Sequence, residues 1–301
     1  MSPTRLQTAK ASASGFRAFL TGQTSSSPAP DTRWTTYVPE ERLCGPMPAL
    51  KLSGGQTLAL GSASVKAAYL GSELKHFNAK AISGLGLWLD ASDASTLTLN
   101  SGNVSELKDK SGNGRNATQE TALNQPAYES FSGGGNAVEF LSSNRLGFDA
   151  SFLVGVNYTL FLVAARTTSA PNVWLTGGAR SNTNQNLHVG WRSQTDFTWA
   201  QFSQEIAATV SGFSSEQTTI VGCRLRANGR SLRLNGSQIA ANEDTSQLAA
   251  VGGQQLGYFP FLSSGSGSKI GEVIAYNREL TDAEVTSIES YLARKWGVAI
   301  A

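Results

Sequence analysis

Cysteine, histidine and charge are all scarce in this chain. Its 301 residues hold two cysteines, Cys44 and Cys223, and two histidines, His76 and His188. Zinc fingers, histidine-rich metal sites and Cys-x-x-Cys redox chemistry are excluded on that count, and nothing in the sequence argues for a Cys44–Cys223 disulfide. Charged residues make up 15% of the chain and the formal net charge is +2. No concentrated basic face is therefore available to release counterions from a nucleic acid or to hold an anionic membrane. The apolar runs near 81–89 and 156–165 are of strand length. None reaches the roughly eighteen residues of a spanning helix, which predicts a soluble protein without membrane insertion. The first 23 residues carry basic side chains but no apolar run of about seven residues before a small-residue cleavage site, so no export leader is expected.

In place of charge the chain has 31 Gly, 13 Phe and 6 Trp among abundant Ser, Thr, Asn and Gln, a composition of strands and turns. Residues 22–31, GQTSSSPAPD, read as a Ser/Pro linker, because proline has no amide donor and serine offers no core. In 49–77, Leu58-Ala59-Leu60-Gly61-Ser62 is echoed ten residues later by Ala68-Tyr69-Leu70-Gly71-Ser72. Each unit predicts a short strand ending in a glycine turn. Two hairpins bury little surface alone, so residues 1–80 are expected to dock on a partner, on copies of the chain in a homo-oligomer, or on the main domain.

From Gly84 onward strand signals recur regularly. Leu85, Leu87 and Leu89 alternate, Tyr158 to Ala164 form a continuous apolar run suited to a central strand, and Asn235-Gly236 is a two-residue hairpin turn. Only the last segment predicts a helix. Thr281 and Glu284 form a capping box, Val285, Ile288 and Leu292 make an apolar stripe, and Gly297 stands at the expected left-handed stop. An all-β sandwich of many strands over 81–301, closed by a helix, follows.

Three segments in this order carry a resemblance: Gly84-Leu85-Gly86-Leu87-Trp88-Leu89-Asp90, then Leu107 to Ala117 (LKDKSGNGRNA), then Ile270 to Thr281 (IGEVIAYNRELT). Together they resemble the laminin-G-like branch of the concanavalin A-like lectin/glucanase superfamily. That resemblance implies a jelly-roll of two antiparallel sheets with adjacent terminal strands. In the family the Asp109 loop can help hold a structural calcium, which would recruit Asp109, Asn113 and Glu272 as oxygen ligands. Physically the same loop reads as a compact turn, its Asp and Asn bonding backbone amides two residues on. Where many relatives have an acidic pair in the final strand, this chain has Gly271-Glu272, one ligand fewer.

Sugar recognition needs aromatic platforms beside polar groups, because a sugar has both an apolar C–H face and hydroxyls. His188 to Trp199 supplies that mixture around a turn, with Trp191, Arg192, Asp196 and Trp199 as candidate ligand residues; Tyr258 and Phe259 form a second aromatic pair. Period two places Trp191 on the side of Val189, so a core position competes with the ligand role for Trp191, and Trp199 shares that competition. Glucanases of the superfamily carry an E-x-D-x-x-E run of paired carboxylates, and no such run occurs, nor do G-x-S-x-G, Walker A or H-E-x-x-H motifs. The expectation is accordingly not an enzyme. A lectin-like domain without an export leader fits a bacteriophage virion, assembled in the host cytoplasm and exposed outside after lysis. The segment VKAAYLGSELKHFN followed by ISGLGLWLDASDAST also resembles phage virion proteins. Residues 1–80 would then attach to other virion proteins in a tail fibre, baseplate or capsid decoration, and 81–301 would present a face to cell-surface glycans. The alternatives are a structural cement protein without a ligand and a glycan hydrolase.

Overall fold

In a computed structural model of the chain, residues 77–210, 216–263 and 267–301 are described in full; before them, only the backbone of six short strands is. The chain divides into Met1–Ala81 and Ile82–Ala301. In the first unit Ala49–Lys51 pairs with Thr57–Ala59, and Ala67–Leu70 with Glu73–Phe77, both antiparallel. Leu58-Ala59 and Ala68-Tyr69-Leu70 of the echoed units fall in one strand of each hairpin. The linker at 22–31 lies outside the described residues.

The second unit is a β-sandwich. One sheet runs Ser237–Asn242, Gly229–Leu234, Thr219–Arg226, Thr159–Arg166, Ser268–Tyr276 and Leu85–Asp90 in hydrogen-bonded order, every neighbour antiparallel. All eight residues of Thr159–Arg166 are buried, as expected of an apolar run flanked by strands on both sides. The first and last strands of the domain are adjacent, Glu272 opposite Asp90 and Val273 opposite Leu89. The other sheet runs Gln255–Leu256, Val173–Gly177, His188–Trp191, Asp196–Ala200 and Glu205–Thr209.

Between the sheets lies one apolar core. Leu87, Leu89, Leu160, Leu162, Val221, Cys223, Leu232, Val273 and Ala275 face Val173, Leu175, Val189, Trp191, Phe197 and Trp199. The opposite face of the first sheet carries Phe161, Val163, Ile274 and Tyr276, buried as well. That is where the helix Asp282–Trp296 is needed, with Val285, Ile288 and Leu292 buried. Its N-terminus has the reciprocal capping box of Thr281 and Glu284, and Gly297 ends it at φ 65°. No helix among the described residues is long and apolar enough to cross a membrane.

Candidate functional site

Strand alternation decides which aromatics can meet a ligand. In His188–Trp191 and Asp196–Ala200, the side chains at 189, 191, 197 and 199 enter the core, and those at 188, 190, 198 and 200 fall on the other face. Trp191 and Trp199 are fully buried. Trp191 meets Phe197 edge to face at 4.9 Å, with the Arg166 guanidinium 5.8 Å from its ring centre. Trp199 donates from Nε1 to the Tyr158 hydroxyl at 3.2 Å. Both rings are structural, which corrects their assignment as a sugar platform. Tyr258 lies outside the cleft described next, 5.3 Å from the Arg145 guanidinium.

On the outer face of that sheet lies a cleft of about 220 Å³. Its floor is Trp174, His188 and Phe259: the imidazole stacks on Phe259 at 4.6 Å, and Trp174 meets Phe259 edge-on at 4.9 Å. Two glycines make room for this floor. A Cβ on Gly177 would stand 2.7 Å from the Phe259 ring, and one on Gly190 would strike the Val173 carbonyl and Trp174. Burial holds the His188 imidazole down to about 4, against a backbone hydrogen bond at Asn186 and with help from the Arg192 charge. It is therefore neutral at physiological pH. The walls are Phe202 and Phe261, whose rings meet perpendicularly at 5.0 Å; Phe261, 43% exposed, follows Pro260 in a single 3-10 turn.

Charge enters at one rim. Arg192 donates from Nε to Asp196 Oδ2 at 2.8 Å and from the terminal nitrogen Nη1 to Glu205 Oε2 at 3.0 Å. Its Nη2 reaches Asp196 Oδ2 at 2.8 Å and Glu205 Oε1 at 2.7 Å. Of the two polar residues singled out from the sequence, Arg192 lines the cleft and Asp196 is bonded to its guanidinium; Glu205, which carries no sequence motif, lines the cleft beside them.

One backbone feature marks this rim. Phe202 and Ser203 both have left-handed conformations, φ 61° and 62°, in the two-residue turn joining Asp196–Ala200 to Glu205–Thr209; Gln201 N–H donates to Gln204 O at 2.9 Å. Such turns favour Asn-Gly because both central residues need positive φ, and each ordinary residue placed there costs about 1–2 kcal/mol. A phenylalanine held in this conformation at the wall of a cleft is the kind of outlier that collects at ligand sites.

The calcium set takes a different form. Asp109 Oδ1 accepts from the backbone N–H of Trp88 and of Ser111 at 2.9 and 2.8 Å; Oδ2 accepts from Ser111 Oγ and Arg115 N at 2.7 and 3.1 Å. Glu272 is 1% exposed and accepts from Trp88 Nε1 at 2.7 Å, Tyr291 Oη at 2.9 Å, and Lys295 Nζ and Trp296 Nε1 each at 2.8 Å. A carboxylate offers about four acceptor sites, and in both residues four are taken. Asn113 turns its amide onto the carbonyls of Leu85 and Gly86, at 3.0 and 3.2 Å. Lys295 Nζ also lies 2.7 Å from Asp90, and Lys110 Nζ 2.8 Å from both Asp90 and Asp93. Lysine ammonium groups thus supply the positive charge that calcium was expected to bring. Among the described residues no group of His, Cys, Asp and Glu side chains is placed to hold a metal ion.

No family model matches the chain, and no curated protein does. Solved structures do. Trypanosoma rangeli sialidase in complex with the inhibitor DANA aligns over 86% of this chain and 42% of its own at 12% identity and TM-score 0.52. The binding domain of botulinum neurotoxin serotype G aligns over 69% of this chain and 51% of its own at 12% identity and TM-score 0.51. Domain 4 of AbnA, a GH43 extracellular arabinanase from Geobacillus stearothermophilus solved with arabinotriose, aligns over 68% of this chain and 98% of its own at 14% identity and TM-score 0.50. The chain thus spans about half or less of the sialidase and of the toxin domain. These likenesses also correct the expectation that the chain is not an enzyme: a sialidase and a domain of an arabinanase are built on a similar sandwich, so a missing E-x-D-x-x-E run excludes nothing. The narrower laminin-G and virion readings rest on the sequence motifs alone, and what the likenesses show is the fold, a β-sandwich.

Proposed function

We propose that residues 82–301 form a carbohydrate-binding module whose ligand sits in the cleft walled by Phe202 and Phe261. The observation that carries this reading is the pairing of those rings, one of them solvent-facing, with the Arg192–Asp196–Glu205 rim. Rings take the C–H face of a sugar and the rim takes its hydroxyls. The arabinotriose complex of the similarly folded arabinanase domain supports the same ligand class. A glycan array probed with the full chain tests it: Phe261→Ala and Glu205→Ala should each weaken the hits, and folded protein that binds no glycan returns the domain to a purely structural role.

The finer setting is a virion surface, with residues 1–80 attaching the chain to the particle. Its support is the resemblance of VKAAYLGSELKHFN and the following LGLWLDAS segment to phage virion proteins. Mass spectrometry of purified particles should recover the chain in stoichiometric amounts; its absence from them overturns this placement.

A further inference from the structure

Charge at the cleft decides which saccharides it accepts. Among the described residues lining it, Arg192 is the one cation and Glu205 the one carboxylate, with Asp196 bonded to the same guanidinium. A guanidinium has five N–H donors. Nε and Nη1 donate to Asp196 and Glu205, and Nη2 lies 2.8 and 2.7 Å from the same two carboxylates. All three nitrogens of the fork are thus engaged by the rim's own acids, which compete with an incoming carboxylate, sulfate or phosphate for arginine's two-pronged grip.

One positive and two negative charges leave the rim at −1, and the neutral His188 on the floor adds nothing to offset it. An incoming anion thus meets net repulsion. A hydroxyl does not: it can donate to the Glu205 carboxylate and exchange a hydrogen bond with Ser203, both of which line the cleft. The volume points the same way. About 220 Å³ lies below the roughly 300–1,000 Å³ of sites for drug-sized ligands and suits a single ring.

Resting on the saccharide reading above, we propose that the cleft takes one ring of a neutral saccharide, seated against Phe202 and Phe261 with its hydroxyls on Glu205 and Ser203, and discriminates against rings bearing a carboxylate or sulfate.

The test uses the full chain on an array carrying neutral glycans beside their sialylated and sulfated counterparts, followed by calorimetry on the best neutral hit and its anionic partner. Neutral hits weakened about five- to tenfold in Phe261→Ala, with the anionic partner weaker than the neutral one by about tenfold or more at low salt, are the expected result. The double variant Asp196→Asn with Glu205→Gln turns the rim from −1 to +1 and should narrow or reverse that ratio. Anionic glycans that bind as tightly as neutral ones through Phe261 overturn the charge rule and leave the saccharide cleft standing. Folded protein that binds nothing, or binds without regard to Phe261, overturns both.

Discussion

Two aromatic residues of this domain illustrate how position outweighs type. Trp191 has no exposed surface and fills the core beside Phe197, whereas Phe261 is 43% exposed at the cleft wall. Truncating a buried tryptophan removes its transfer free energy and leaves a cavity, together about 3–5 kcal/mol. Trp191→Ala should therefore lower the unfolding free energy measured by chemical denaturation by that amount. Phe261→Ala should leave that free energy within about 0.5 kcal/mol and weaken glycan binding about five- to tenfold, in line with roughly 1 kcal/mol for a stacked ring. A Trp191→Ala protein of wild-type stability would return that ring to the surface.

At the scale of elements, the left-handed Phe202-Ser203 turn gives a prediction in which stability and binding part company. Ser203→Gly relieves one strained position without touching the aromatic wall, and should raise stability by about 1 kcal/mol with binding retained. Phe202→Asn relieves the other and removes the wall, so denaturation should show a gain while the array shows a loss; if both properties fall, the turn is not strained. The helix start makes a pH prediction. Burial alone would raise the Glu284 carboxyl, but hydrogen bonds from Arg278 and the Thr281 backbone, with the Arg278 charge, bring it down to about 2. A carboxylate depressed on folding stabilises above its unfolded value, near 4.5, and that contribution disappears as pH falls through 2. The melting difference between wild type and Glu284→Gln should be full above about pH 5 and close toward pH 2. The elements themselves were legible wherever the information was local. Period two placed Val189 and Trp191 inward, the capping box marked the helix start, and Tyr158 to Ala164 announced a central strand. The cleft was not legible, because Trp174, His188 and Phe259 meet only through pairings between distant segments, such as Thr176 with Leu256. Phe202-Ser203 also occupies a turn whose usual marks are Asn and Gly. The available signal was the outward set of the same strands, with Gly177 and Gly190 clearing space for large rings.

For the whole domain, closure depends on a buried charge cluster where its first strand, last strand and helix meet. Asp90 and Glu272 stand opposite each other in adjacent strands, and Lys295 reaches both from the last turn of the helix. Burial pushes Glu272 up and Lys295 opposes it; burial would raise Asp90 too, but Lys295 and Lys110 together hold it down. Removing one partner of a buried ion pair leaves the other uncompensated, a loss of about 3–5 kcal/mol. Lys295 keeps 20% side-chain exposure, so water recovers part of it and Lys295→Met should cost about 2–3 kcal/mol. Lys110→Met should cost less, because Asp93 is 35% exposed and Asp90 retains Lys295. The same cluster predicts the response to metal. With Lys295 and Lys110 supplying the positive charge and the Asp109 turn saturated by its own amides, millimolar calcium and chelator should both leave the wild-type melting temperature unchanged. A calcium-dependent rise of several degrees would show a bound cation stabilising the folded state by mass action, and would mean that the lysines give way to it.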